Sequence, residues 1–209
     1  MTMRIETRMS KGSPLPSPAP GNGFRITSHR VLVAALALCL VAAALAAAQD
    51  SAKPLKAADA VRTQIYVSLA PVPQGRTFEI AAVAQVAPGY HVQANKVLEE
   101  YLIPLTVTPE LPAGFRLLDT AYPKAQLVKF PFAAKPMAVY EGRFVVRMKL
   151  QAEAGAPAGP VKIPMTLRFQ ACNSELCLPP ARLPLTVEFE VAAAGTAAKP
   201  AHSEIFGKP

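Results

Sequence analysis

The sequence predicts an all-β protein, an immunoglobulin-like antiparallel β-sandwich. Three observations carry this. Several segments alternate apolar and polar residues with a period of two. Turn signals recur between them, at Pro88-Gly89, Pro112-Ala113-Gly114, Glu141-Gly142 and Gly155–Pro160. Beyond the N-terminal leader, no segment has an apolar stripe of helical period and helical length. Strands with one apolar face each argue antiparallel sheets, and two such sheets bury those faces by packing together.

The leader occupies residues 1–48. Residues 31–48, VLVAALALCLVAAALAAA, are apolar and uncharged, follow Arg25, His29 and Arg30, and end in small residues. This is the pattern of a secretory signal peptide cut after Ala48, or of an N-terminal membrane anchor if the segment is retained. Leu38 before Cys39 is too large for a lipoprotein signal. Either form places the rest of the chain outside the cytoplasm. Residues 49–60 read as a linker, 61–191 as the sandwich and 192–209 as a disordered tail.

Within the sandwich, Arg62–Leu69 alternates, and 76–87 places Phe78, Ile80, Ala82, Ala84 and Val86 on one face. Segment 143–150 sets Phe144, Val146, Met148 and Leu150 against Arg143, Arg147 and Lys149. Segment 161–169 puts Val161, Ile163, Met165, Leu167 and Phe169 on one face, and 182–191 does so with Leu183, Leu185, Val187, Phe189 and Val191. Segments 102–108 and 115–118 are weaker strand candidates. Pro164 and Pro184 fall on outward positions and cannot donate to a ladder, which predicts edge strands or bulges there.

Composition narrows the function. The 209 residues include 22 basic and 14 acidic ones, a net charge of +8, but the leader takes five basic and one acidic residue with it. The remainder is near +4, with its basic residues scattered singly, so no nucleic-acid surface is expected. With 51% apolar and 17% charged residues, a wholly disordered chain is excluded. Three cysteines exclude a four-cysteine zinc site and a disulfide-dense scaffold.

Only Cys172 and Cys177 remain after the leader, at the end of one strong strand and shortly before the next. A turn at Asn173-Ser174-Glu175 brings their sulfurs together across a hairpin mouth, and an exported protein meets oxidising conditions. A bridge closing about six residues contributes roughly 2 kcal/mol by chain entropy, against about 4 kcal/mol for one spanning some 70 residues. It is thus poorly placed for global stability and well placed for exchange, although spacing alone leaves a local staple equally open. Metal binding has little support, since His91 and His202 are not linked to the pair by any ligand spacing. No histidine is local in sequence to serve as base, and Glu175 between the cysteines tends to raise a thiol pKa.

Five stretches then carry a family resemblance: PGYHVQANK (88–96), EEYLIPLTV (99–107), YPKAQLVKFPF (122–132), MAVYEGRFVVRMKL (137–150) and LRFQACNSELCLPP (167–180). The chain resembles the N-terminal periplasmic domain family of the thiol:disulfide interchange protein DsbD over roughly residues 62–191. The resemblance implies an immunoglobulin-like fold whose cysteines cycle between disulfide and dithiol, as in a protein-disulfide reductase. Cys172 and Cys177 match the redox pair, with Cys177 forming the mixed disulfide and Cys172 resolving it. A cap loop is implied at Lys129–Ala133, with Phe132 or Phe130 as the shield. Tyr90 and Tyr140 match aromatic positions near the site, with strand packing as their alternative role.

The implied partners are a membrane-embedded thiol electron carrier, which supplies electrons, and periplasmic thioredoxin-fold proteins, which receive them for disulfide isomerisation or cytochrome c maturation. No cofactor is implied. The membrane enters only through the N-terminal segment, if it is uncleaved. Two departures stand out: some members have one more residue between the cysteines, and the chain ends at Pro209 without the electron carrier and thioredoxin domain that follow in the full-length protein. Its electrons are therefore expected from a separate protein. The competing readings are an exported interaction domain with a structural hairpin disulfide and, more remotely, a metal-handling module.

Overall fold

The structure, a computed structural model, describes residues 55–207. The leader (1–48) and linker residues 49–54 lie outside the described residues, so the expectation of a signal peptide or anchor is not addressed by the fold. Among the described residues no helix is long and apolar enough to cross a membrane.

A 3-10 turn, Ala57–Ala60, opens the domain and buries Ala60. The strands then run β1 (Val61–Val67), β2 (Leu69–Ala70), β3 (Val72–Pro73), β4 (Thr77–Val86), β5 (His91–Gln93), β6 (Thr106–Pro109) and β7 (Phe115–Ala121). They continue as β8 (Gln126–Val128), β9 (Met137–Tyr140), β10 (Arg143–Ala152), β11 (Gly159–Phe169), β12 (Ala171–Cys172), β13 (Ala181–Ala192) and β14 (Lys199–Pro200), before a single helical turn α1 (Ser203–Phe206).

Two four-stranded sheets form the sandwich, in the orders β1-β4-β10-β7 and β3-β13-β11-β6. All their pairings are antiparallel except the short β13–β3 contact. The faces read from the alternation meet in one core: Phe78, Ile80 and Val86 of β4, Val146, Met148 and Leu150 of β10, and Ile163, Met165, Leu167 and Phe169 of β11 are all buried. Phe189 of β13 crosses between the layers, its ring 5.2 Å from Phe78 and 5.9 Å from Phe115. The all-β sandwich expected from the alternation is the fold observed. Of the weaker candidates, 115–118 extends to Ala121, while 102–108 is strand only from Thr106.

At one end the long strands continue into a third, smaller sheet, β12-β5-β9-β8. The Pro88-Gly89 turn, with Gly89 at φ +77°, leads β4 into β5. β9 precedes β10 across Glu141-Gly142, and β12 follows β11 after Gln170. Cys172 lies on this sheet, in β12, and Cys177 is bridged to it.

Three expectations are corrected. β11, which holds Pro164, is an inner strand. The proline is tolerated because its side of β11 lies at the last rung of the β6 ladder, where the Glu110 N–H donates to the Pro164 carbonyl and no return donor is needed. Pro184 pairs with Thr166, two rungs along, so by ladder alternation it faces away from β11, where β13 has no other partner. Residues 57–60 are not free linker. Nor is the tail disordered over 192–207. β14 pairs with β2, and Ile205 of α1 is buried against Ala81 and Val83 of β4. The Arg147 side chain donates to the Ile205 carbonyl. Ala81 and Val83 made β4 apolar on its outer face as well, which is what α1 covers.

Candidate functional site: the Cys172–Cys177 hairpin

The loop between β12 and β13 is shaped by Asn173. Its side-chain oxygen accepts from the Glu175 and Leu176 N–H groups at 2.9 and 2.8 Å, and its own N–H donates to the Leu176 carbonyl. This Asx-type turn is why the chain reverses within four residues. It sets Cys172 and Cys177 opposite each other as an isolated antiparallel bridge, disulfide-bonded with Cα atoms 3.9 Å apart. The Leu178 N–H closes the hairpin onto the Ala171 carbonyl. The two sulfurs are not equivalent. Cys172 is fully buried, whereas Cys177 is partly exposed.

Register brings two further residues to Cys172. On β5, His91 is its direct cross-strand partner, and Gln93 lies on the same face two residues along. The Gln93 side-chain nitrogen is 3.5 Å from Cys172 Sγ and 3.6 Å from Met137 Sδ. Both residues are buried, and neither His91 Nε2 nor Gln93 Oε1 has a hydrogen-bond partner. Burial pushes the His91 imidazole down from 6.5 to about 4, so it is neutral at physiological pH.

This face is covered by a small second core of Leu102, Phe130, Met137 and Val139. Lys129–Ala133, expected as the cap, lies in the loop of the β8–β9 hairpin. Phe130 is buried and stacks on His91, with ring centroids 3.8 Å apart and planes 15° from parallel. Phe132 stacks on Phe130 in turn, at 5.7 Å, and remains 41% exposed. An aromatic ladder thus runs from the surface to the residue opposite Cys172. Lys129 donates to the Ala133 and Ala134 carbonyls and stiffens the loop.

The 95–105 segment closes the other side. Lys135 pairs with Glu99 at 2.8 Å, and that hydrogen bond holds the lysine above its usual pKa. Gln170 accepts from the Ile103 N–H and donates to the Leu178 carbonyl, tying this segment to the cysteine hairpin. Leu98, Tyr101, Leu127, Phe132 and Leu176 are exposed large apolar side chains on these same segments.

The remaining predicted residues sit elsewhere. Tyr140 belongs to the main core, on the opposite face of β9 from Val139. Its hydroxyl donates to Asn95 Oδ1 at 2.6 Å, and burial raises its pKa. Tyr90 packs against the same core, half-buried. The Glu175 side chain is exposed at the hairpin tip. Sequence reasoning found no base local in sequence, left open whether His91 lies near the pair, and missed Gln93 and Met137. The available signal was the pair of polar residues at i and i+2 around Val92, which share a strand face, but the register onto Cys172 could not be read from it.

Compared with known proteins, the chain matches the family described as "Thiol:disulfide interchange protein DsbD, N-terminal" over residues 52–188. Among solved structures it is similar to the DsbD N-terminal domain of Neisseria meningitidis in the reduced form, at 17% identity and a TM-score of 0.42, over 70% of this chain and 94% of that one. It is also similar to the N-terminal periplasmic domain of ScsB from Proteus mirabilis, at 12% identity and a TM-score of 0.41, over 61% of this chain and 46% of that one. No curated protein sequence matches it. The family match takes in the cysteine hairpin, β5, the β8–β9 loop and nearly all of both main sheets, and the chain belongs to the DsbD N-terminal domain family.

Proposed function

We propose that this protein is a periplasmic thiol–disulfide exchange module. In this reading it relays reducing equivalents from a membrane-embedded thiol carrier to thioredoxin-fold proteins through Cys172 and Cys177. The observation that carries the reading is the asymmetry of the pair: one sulfur buried and one accessible, on a short hairpin held by a single Asx turn.

The asymmetry supports a division of roles between the two cysteines. In the reduced protein the Cys177 thiolate attacks one sulfur of the partner's disulfide. A bond forms between Cys177 and the partner, and the partner's other sulfur leaves as a thiolate. Cys172, deprotonated, then attacks Cys177 Sγ. The internal disulfide closes, and the partner departs as a dithiol carrying two electrons. A dithiol of the membrane carrier reverses these steps and restores the reduced pair. Cys172 suits the resolving step because burial hides it from any sulfur but its neighbour. The exposed apolar side chains around the hairpin suit a docking partner, and the Phe132–Phe130 stack suits a shield that yields to that partner.

The test is trapping with Cys172→Ser in the exported protein. Cys177 then has no resolving neighbour, so covalent adducts with thioredoxin-fold proteins accumulate. A folded, exported variant that yields no adducts overturns the relay and leaves a structural hairpin disulfide.

A further inference from the structure

We propose that Gln93 poises the redox pair: its buried side-chain amide favours the reduced over the oxidised state of Cys172, and so raises the reduction potential. The consequence for electron relay rests on the function proposed above; the effect on the potential does not.

Gln93 is fully buried, beside Val139 and Met137. Its amide nitrogen faces two sulfurs, those of Cys172 and Met137. A disulfide sulfur and a thioether sulfur carry no proton and can only accept, weakly, which fixes the nitrogen toward them and leaves Oε1 without a partner. Among the described residues, buried side-chain polar atoms without a partner occur on Thr63, His91 and Gln93, so two of the three flank Cys172. A buried, unpaired polar atom is destabilising, because it has given up its hydrogen bonds to water without replacement. In the oxidised state this pocket is therefore a liability concentrated on one sulfur.

Reduction changes what that sulfur offers. A dithiol reductant gives up two electrons and two protons and becomes a disulfide. The Cys172–Cys177 bond breaks, and each sulfur gains a proton. As a thiol, Cys172 acquires a donor for an orphaned acceptor in the pocket. As a thiolate, formed when it attacks in the resolving step, it becomes a strong acceptor for the Gln93 N–H already aimed at it. The thiolate makes a better hydrogen bond with this amide than the disulfide does, and the thiol adds a donor that the disulfide lacks. An interaction present in one redox state and weak in the other shifts the equilibrium toward the first.

The test is the reduction potential of the full chain in thiol–disulfide buffers of dithiothreitol, wild type against Gln93→Met. Methionine keeps the side-chain length and removes the amide. The expected result is a fall of roughly tenfold in the equilibrium constant for reduction, about 30 mV more negative for this two-electron couple. Thermal stability of the oxidised form rises at the same time, because the orphaned oxygen is gone. An equilibrium constant unchanged within twofold, or one that rises, overturns the inference. Should Gln93→Met fail to fold, Gln93→Leu gives a second apolar replacement. On wild-type protein, hydrogen exchange of the Gln93 side-chain amide must slow on reduction, and equal exchange in both states equally overturns it. A small dithiol needs no protein partner. A shifted potential with no trapped adducts therefore defeats the relay alone, and trapped adducts with an unshifted potential defeat the Gln93 assignment alone.

Discussion

His91 shows how much one buried side chain can govern. It is 3% exposed, stacked under Phe130 and set directly across from Cys172. Burial holds its imidazole at about 4, against 6.5 in an unfolded chain. Below pH 6.5 the unfolded chain therefore takes up a proton that the native protein refuses until about pH 4. Stability must fall as pH drops through that window. The loss from this group between pH 7.5 and 5 is about 2 kcal/mol by linkage. His91→Phe keeps a ring for Phe130 to stack on and removes the titration. Urea unfolding at the two pH values should show a loss smaller by about 2 kcal/mol in the variant than in the wild type; equal losses would contradict the burial of a neutral imidazole. At this scale the sequence was legible where chemistry is local. Cys172, Cys177 and the Asn173 turn lie within six residues and declare themselves. His91 and Gln93 reach Cys172 only through a strand register that depends on the whole third sheet.

Among the elements, the β8–β9 hairpin carries the proposed cap. Its loop carries Phe130 inward and Phe132 outward, and two lysine-to-carbonyl bonds hold the turn. An aromatic stack of this kind is worth about 0.5–1.5 kcal/mol. Without it, opening of the loop should become roughly two- to tenfold easier. Phe132→Ala is accordingly expected to speed reaction of the disulfide with a small dithiol by that factor, measured by stopped-flow or quenched alkylation. An unchanged rate would remove Phe132 from the cap. The long strands were legible as elements because a period of two over ten residues is hard to mistake. The tail was not, because its large apolar side chains are one dipeptide, Ile205-Phe206, in eighteen residues rich in Ala, Gly and Pro. The complementary clue lay far away, in the apolar outer face of β4, and only the three-dimensional pairing joins the two. Pro164 misled for a related reason: its missing donor matters only on the side where a neighbour needs it, and β6 stops there.

For the molecule as a whole, redox state and folding stability are linked. Stability gained from a disulfide equals the extra difficulty of reducing it in the folded rather than the unfolded chain. A bridge made for exchange must therefore stabilise its fold little. The loop here closes six residues, with a sequence separation of five, and chain entropy limits its contribution to roughly 2 kcal/mol. Any stabilisation of reduced Cys172 by Gln93 subtracts from that. Most of the sandwich core, from Ala60 to Val191, is built on two sheets that the bridge does not join. Reduction with excess dithiol is thus expected to leave the sandwich folded, by circular dichroism and cooperative melting. Its Tm should fall by no more than about 8 °C, the shift that roughly 2 kcal/mol produces in a domain of this size. In Gln93→Met the gap between the oxidised and reduced melting points should widen, because the reduced form loses its hydrogen bond while the oxidised form loses an orphan. A wild-type protein that unfolds on reduction would show the bridge to be structural, since a fold that depends on its disulfide cannot also hand the electrons on.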